Sequence, residues 1–563
     1  MTDESYGVRV RPLDESGKPI ATAPSRPSPQ RASLLTGGAI ALIVIIALVA
    51  VIAWRALTGS PFGAAESVAA DADVVFTVDF LQIRDVERVD RFIRAFADPM
   101  VRHGYIDEVP DLDSALREFD DMAEEEIGFR FGEDIVSWVG RSASMAVWIP
   151  ESALALDSFD PSATPAILIT LEVRDDERAG QFLDRAIAEA EQAGFAVTQI
   201  QLGGGPGYYI ETPDEPLVVA LRDGRFLIGE STDTVRRAIE LDPADSVAQS
   251  EDFQRLASAI GGDPVMTSFA SSNLGSKLAA AFSTLSPELP LAEPFAGGSM
   301  VTLALDDDGI SIRAASRAVE GLTVAHGAWS AALPADTYGF IDVVLPDGYG
   351  GELIEQYTET LSNAGLTGDD LDAITAPADD VIGMSLLDDL LPQFGGELMF
   401  AVIPASDGLL AQESGLAIGT LLGVGIQDAD IVGEALDRAL LALAEQGLTI
   451  LDDASMHVVE LDGSPVGALS LTADSFLASS SPQALEGLLR GAERLGAAEQ
   501  YNRVDDLIDG DGLAMYVDVA GVVGDFVDDG PVRDVLAPLV AVGAGYAVHG
   551  DLQITDVRFL IDY

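Results

Sequence analysis

The pattern of apolar and polar positions divides the chain into one lipophilic stretch and a long alternating region. Leu34 to Trp54 reads LLTGGAIALIVIIALVAVIAW, 21 residues without a charge. At 1.5 Å per residue that is about 32 Å of helix, roughly the hydrocarbon thickness of a bilayer. It predicts a single transmembrane helix, with Trp54 at the interface. A cleaved signal peptide is the alternative: Ala64 and Ala65 could serve a peptidase, but a signal's apolar core and leader are usually shorter than these. Arg9, Arg11, Lys18, Arg26 and Arg31 precede the span, and Arg55 is the only basic residue after it until Arg84. That excess of positive charge places the N-terminal tail in the cytoplasm and the rest of the chain outside it.

Beyond the span, one pattern occurs twice. Ile167–Gly194 (ILITLEVRDDERAGQFLDRAIAEAEQAG) and Thr420–Gly447 (TLLGVGIQDADIVGEALDRALLALAEQG) both read strand, polar turn, helix, glycine stop. Their shared Leu-Asp-Arg-Ala tetrad recurs 253 residues apart, at Leu183–Ala186 and Leu436–Ala439. Other blocks follow in the same order. Met145–Pro150 aligns with Met399–Pro404, Asp223–Ile239 with Ala473–Leu489, Glu251–Phe269 with Glu499–Val517, and Ala70–Phe80 with Leu333–Val343. A repeat of this kind fixes the architecture before any single element does.

Each half predicts an opening strand (Val74–Asp79; Tyr338–Val344), a helical region (Asp85–Phe96; Gly351–Asn363), two paired strands and a long helix. In the second half that helix carries Ile431, Val432, Ala435, Leu436, Ala439, Leu440 and Leu443 on one stripe, and Gly447 ends it. Short alternating strands follow, then a helix capped by Ser231 or Thr232 in the first half and by Ser481 in the second. Asp223-Gly224, Asp308-Gly309 and Asp462-Gly463 signal hairpins. Strand after strand without an intervening helix argues against a parallel sheet.

The expected fold is therefore α+β: a transmembrane helix, then two homologous units of twisted, largely antiparallel sheet with packed helices. The expected organisation is a disordered cytoplasmic tail (1–33), the span (34–54), a linker (55–66), a first repeat (67–319), a linker or continuing strand (320–329) and a second repeat (330–563). Two similar halves facing each other would form a cleft, a common place for a ligand.

Composition narrows the chemistry. The 93 acidic residues face 31 basic ones, for a net charge of −62. Such a chain repels nucleic acid, whose sites need Lys and Arg. The acidity is spread along the whole extracytoplasmic part, as expected of a carboxylate-coated surface suited to high salt; a surface that collects cations is the alternative reading. With no Cys, disulfides, thiolate metal sites and thiol nucleophiles are excluded.

No catalytic motif is complete. The four His (His103, His326, His457, His549) are far apart in sequence. There is no G-x-S-x-G elbow and no phosphate-binding loop, and Lys277 has no glycine run before it. Gly203–Gly207 lies between two strands and reads as a hairpin loop. Asp306–Gly309 and Asp509–Gly512 lack the glutamate of a calcium loop and read as turns. No catalytic, cofactor or metal residue is assigned.

The anchor, the Ala70-Asp71-Ala72-Asp73 and Leu333-Pro334-Ala335-Asp336 strand starts, the Met-Ala-Val-x-Ile-Pro strand, the Asp-Arg-Ala helix and the D-G-R-F-L-I-G hairpin together resemble a bacterial envelope family known only as domain of unknown function 3352. The resemblance covers most of residues 67–563. It implies a bacterial, membrane-tethered outer domain with no established activity, and supplies no catalytic residue. The function expected is a non-enzymatic binding or scaffolding protein of the cell envelope, for a lipophilic small molecule or an envelope partner, held to the bilayer through Leu34–Trp54. The alternative is an extracytoplasmic hydrolase using Asp/Glu or Ser chemistry.

Overall fold

The computed structural model describes residues 62–80, 86–106, 109, 130, 134–154, 164–212, 216–285, 297–318, 325–344, 368–453, 455–491, 493–508, 510 and 512–563. The tail 1–33, the span Leu34–Trp54, the helical region expected at Gly351–Asn363 and the residues Asp509 and Asp511 lie outside these. Among the described residues no helix is long and apolar enough to cross a membrane.

The strands of the first half are β1 (Val74–Asp79), β2 (Val139–Trp148), β3 (Ala166–Val173), β4 (Ala196–Leu202), β5 (Gly205–Glu211), β6 (Leu217–Arg222), β7 (Arg225–Gly229), β8 (Met266–Ala270), β9 (Ser299–Leu305) and β10 (Gly309–Arg317). A two-residue β11 (Ala325–His326) follows. The second half has β12 (Gly339–Val344), β13 (Phe394–Pro404), β14 (Ile418–Ile426), β15 (Thr449–Asp453), β16 (Met456–Leu461), β17 (Ser464–Leu471), β18 (Ser475–Ser479), β19 (Leu513–Asp518), β20 (Leu539–His549) and β21 (Leu552–Ile561). Among the described residues every pairing is antiparallel and all strands belong to one sheet. The fold is α+β, as the alternation predicts.

The pairings run β4-β5-β6-β7-β3-β2-β1-β8-β9-β10 and continue β21-β20-β19-β12-β13-β14-β18-β17-β16-β15. The second half thus repeats the strand order of the first, read from the other end. The halves meet edge to edge through β10 and β21, with Gly309 opposite Leu560 and Arg317 opposite Leu552. The sheet runs on where a cleft between facing halves was expected. Its outer edges are β4 and β15.

The helices intervene at the same places in each half. The first has α1 (Val86–Arg102), α2 (Asp176–Gln192), α3 (Thr232–Glu240), α4 (Glu251–Ile260) and α5 (Ser272–Leu285). The second has, at the corresponding places, α6 (Gly368–Ile382), α7 (Ala429–Glu445), α8 (Pro482–Arg490), α9 (Glu499–Asp505), α10 (Val519–Phe526) and α11 (Pro531–Leu536), and each half has, among the described residues, one further short helix, Glu151–Leu154 and Gly408–Ser414. Side chains start them as the sequence implies: Ser231 Oγ accepts from Thr234 N (3.1 Å) and Ser481 Oγ from Ala484 N (3.1 Å). Asp175 and Asp428 cap α2 and α7 in the same way. Each such cap stabilises its helix by about 1 kcal/mol. Asp223-Gly224 and Asp462-Gly463 adopt positive φ at both positions (47° and 72°; 53° and 79°), which two-residue hairpins that follow the sheet's twist require.

Two cores form in the first half because its strands alternate. Val75, Ala146, Leu168 and Leu227 face α3 and α4, where Phe253, Leu256 and Val235 complete one layer. Phe80, Val139, Phe226 and Trp138 face α1 and α2, meeting Val89, Ile93, Ala179 and Leu183. Phe340, Met399, Leu421 and Leu477 meet Leu485, Tyr501 and Val504 in the second half. The packed unit begins earlier than residue 67. Ala64 and Ala65 are fully buried, and Phe62 sits edge-on to Phe253 with ring centres 5.0 Å apart. Residues 62–66 are therefore part of the core, where a linker was expected.

Three expected alignments shift: that of Met145–Pro150 by one residue, that of Ala70–Phe80 by two, and that of the strand holding Phe269 by one. Pairing Met145 with Met399 would match a side chain 37% exposed with one fully buried. The registers instead set Ala146 against Leu168 and Ala401 against Leu421, all four buried. Because side chains alternate, a one-residue slip exchanges the faces, and similarity of letters does not detect it.

The seam between the halves is ionic as well as hydrogen-bonded. Asp556, fully buried on β21, meets Arg313 of β10 (Nε–Oδ2 3.1 Å) and Arg558 of its own strand (Nε–Oδ1 2.9 Å). Arg558 also holds Asp306 at 2.8 Å. Leu552 and Ile554 of β21 belong to the first half's core, whereas Leu560 belongs to the second's. A proline at Val557, which lies opposite Ile312 on β10 and Ala544 on β20, removes a ladder donor from a central strand. Val557→Pro is expected to lower amide-exchange protection in β10 and β20 together; loss confined to β20 would contradict a shared seam.

Candidate functional site

The regular ladders are interrupted at equivalent places. On β2, residues 140–142 stand opposite the single residue Glu172, since Val139 pairs with Val173 and Ala143 with Leu171. On β13, residues 395–397 stand opposite Gly425, since Phe394 pairs with Ile426 and Leu398 with Val424. Bulges re-aim side chains and recur beside functional sites.

In the first half the bulge is filled from within. Glu172 Oε2 accepts from Arg141 N (3.1 Å), Ser142 N (3.2 Å) and Ser142 Oγ (3.2 Å). Burial raises its pKa, and these hydrogen bonds oppose the rise. The neighbouring Asp79 is held by the Arg141 guanidinium, with Nη2 2.6 Å from Oδ2.

In the second half Gly425 stands at the place of Glu172 and the bulge backbone closes on it, for a Cβ there would lie 2.3 Å from Gly395 O. Glu397 Oε1 accepts from Trp329 N (2.8 Å), and Asp342 Oδ2 accepts from Ser330 N (2.7 Å). Their other contacts converge: a Cβ on Gly327 would lie 1.9 Å from Asp342 Oδ1 and 2.3 Å from Glu397 Oε1, so only glycine fits there. Asp342 is fully buried, and burial together with the negative charge of Glu397 pushes its pKa up to about 7. Near neutrality the Asp342 carboxyl therefore still holds a proton in part. Beside them lies a cavity of about 360 Å³ whose polar lining is Trp329, Glu397, Gln427, Asp474 and Ser475. The pair is too close to flank a glycosidic bond, which needs carboxyl groups roughly 5 Å or more apart.

Two other cavities lie among the described residues. One, of about 260 Å³, is bounded by Trp148 and Leu168; Arg237 lies 6.0 Å over the Trp148 ring and is paired with Asp71, to which Trp148 Nε1 also donates (3.0 Å). The other, of about 240 Å³ along α2, has Arg178 paired with Asp175 and Arg185 with Asp134.

Apolar side chains also line up across neighbouring strands in both halves. Phe76, Met145 and Ile169 lie opposite one another on β1, β2 and β3. Ile341, Phe400 and Leu422 do so on β12, β13 and β14, at 50%, 45% and 38% exposure.

The residues weighed in the sequence are scattered. His103 pairs with Asp534 (2.6 Å) and His457 with Asp452 (2.7 Å); His326 is on β11 and His549 ends β20. Among the described residues no three His, Asp or Glu side chains could hold a metal ion. Gly203 and Gly204 form the β4–β5 turn, and Asp306 and Asp307 are held by Arg558 and Arg91. Sequence reading missed Trp329, Asp342 and Glu397. Two signals were present: Gly395-Gly396 before Glu397, marking a bulge, and Asp342 at an inward position of an otherwise apolar strand.

The sign of the Asp342 effect is definite. Its carboxyl binds a proton more readily folded than unfolded, so stability falls as pH rises from about 4 through about 7. Asp342→Asn keeps an acceptor for Ser330 N–H and removes the charge. At about pH 8 it is expected to stabilise the protein by on the order of 2–4 kcal/mol, with little effect near pH 4. Urea unfolding across this range checks it, and a gain independent of pH would contradict it.

A family model described as "Protein of unknown function (DUF3352)" matches residues 35–446. No curated protein matches the chain. Two solved structures, crystal forms I and III of TP0453, are similar at 12% identity, with TM-scores of 0.21 and 0.22. They cover 47% and 46% of this chain and 80% of each of those chains. By the extent of the family match, the chain belongs to the DUF3352 family of proteins of unknown function.

Proposed function

We propose that the chain is a single-pass, membrane-tethered protein of the bacterial envelope, with its folded part outside the cytoplasm and a non-enzymatic role in binding or scaffolding. Its two halves are the products of duplicating one sheet-and-helix unit; the repeated strand order, bulges and helix positions support this. The observation that carries the binding role is the pair of apolar rows, Phe76–Met145–Ile169 and Ile341–Phe400–Leu422, set across the sheet at the same place in each half. Singly exposed apolar residues are ordinary, but contiguous rows mark contact with something apolar. A neutral lipid chain suits the rows best, because a net charge of −62 repels anionic headgroups. The basic flank of Leu34–Trp54 supports the orientation.

Protease added to sealed cells is expected to digest the C-terminal portion; protection that ends only on lysis would overturn the topology. A fragment from residue 62 onward is expected to carry lipid visible by native mass spectrometry. Phe400→Glu with Met145→Glu is expected to remove that lipid, and lipid content unchanged by both would count against the rows.

A further inference from the structure

The cavity of about 260 Å³ beside Trp148 lies at a place that the second half packs tightly. Register relates the two places. Val75 pairs with Ala146 and Phe340 with Ala401, so Trp148 corresponds to Ile403. Counting back along the chain, Ser67 and Ala69 correspond to Ala332 and Pro334, and the bridges Ala69–Ser246 and Pro334–Arg494 agree. Counting on from the helix caps Ser231 and Ser481, Arg237 corresponds to Gly487. In the second half this place is closed: Ile403 is buried, and a Cβ on Gly487 would lie 3.3 Å from Pro334 Cγ. In the first half a hydroxyl, an indole and a guanidinium stand at those positions, around open space.

We propose that this cavity binds a neutral, polyhydroxylated ring, a single hexose unit, between Trp148, Ser67 and Arg237. Three features support it. Ser67 lines the cavity, is fully buried, and its Oγ has no hydrogen-bond partner among the described residues. A buried hydroxyl left unpaired costs free energy, which a ligand hydroxyl restores. The charges at the wall are already cancelled in pairs, Arg237 by Asp71 and Asp233 by Arg236 at 2.7 Å. No net charge is left to hold an ion, yet a guanidinium has more donors, and a carboxylate more acceptor sites, than one ion pair uses. Trp148 Nε1 donates to Asp71 (3.0 Å), which fixes the indole and leaves its ring for apolar contact.

Leu168 and Ala238 continue the apolar wall beside Trp148. An apolar wall facing a few fixed polar groups suits a ligand of the same two characters. A pyranose is one, with C–H groups on its faces and hydroxyls around its edge. The space is also many times what a single water needs. The proposal goes beyond the lipid-binding role and uses other residues. Leu168 and Ile169 are neighbours along β3 and point to opposite sides, so the cavity and the Phe76–Met145–Ile169 row lie on opposite faces of the sheet.

Fluorine NMR of the full chain labelled with fluorotryptophan tests this, in a detergent without a sugar headgroup. The chain has four tryptophans, and Trp148→Phe assigns the resonance that matters. Methyl glucoside, methyl galactoside, methyl mannoside and methyl N-acetylglucosaminide are titrated in turn, with cyclohexanol as an apolar ring of similar size. At least one glycoside is expected to shift the Trp148 resonance saturably, with a Kd of about 1–10 mM, and cyclohexanol to bind about tenfold more weakly or not at all. Arg237→Ala is expected to weaken binding by about tenfold, and Ser67→Ala by about three- to tenfold. Ser67→Ala is also expected to leave the urea midpoint unchanged or higher, since it removes the unpaired hydroxyl; a purely structural Ser67 would lower the midpoint and spare binding. No shift with any glycoside, a shift confined to another tryptophan, equal binding of cyclohexanol, or an affinity indifferent to both substitutions would overturn the proposal. None of these results bears on the lipid experiment.

Discussion

The ladder between β10 and β21 is the constraint on which the rest depends. It turns two ten-strand arrays into one sheet, and it buries the Asp556, Arg313 and Arg558 cluster that neither array could bury alone. Taking a carboxylate fully out of water is costly unless opposite charges and hydrogen bonds surround it. Here the two arginines supply them, one from each half. Removing either partner strands a buried charge, so the cluster makes the edge-to-edge register specific as well as strong.

Much of the fold was legible because local chemistry and global architecture agree. Asp223-Gly224 and Asp462-Gly463 announce hairpins, Ser231 and Ser481 announce helix starts, and Gly447 with φ of 97° ends a helix where the sequence says it should. What was hidden is what register decides. The alignment of Met145 with Met399 followed the letters, whereas the sheet obeys alternation and pairs the flanking alanines with Leu168 and Leu421. The relation of the halves was equally invisible, since no local pattern tells a cleft from a continued sheet.

The candidate site was less legible than the fold. Its parts come from β12, β13, β14 and the segment around Trp329, brought together by a bulge. No spacing motif links Gly327, Asp342, Glu397 and Gly425. In an acidic chain, two more carboxyl groups carry no signal until burial sets them apart. The internal comparison provides that contrast. One half closes its bulge with the Glu172 carboxylate, and the other closes it with backbone against Gly425.

The position of β21 also constrains biosynthesis. The strand that completes the first half's sheet is made more than two hundred residues after β10, for Leu552 to Leu560 lie opposite Arg317 to Gly309. Until β21 is made, β10 lacks that partner, and part of the first core lacks Leu552 and Ile554. The nascent chain must keep that edge from foreign strands through the synthesis of more than two hundred further residues. Final closure of the first half therefore waits for β21.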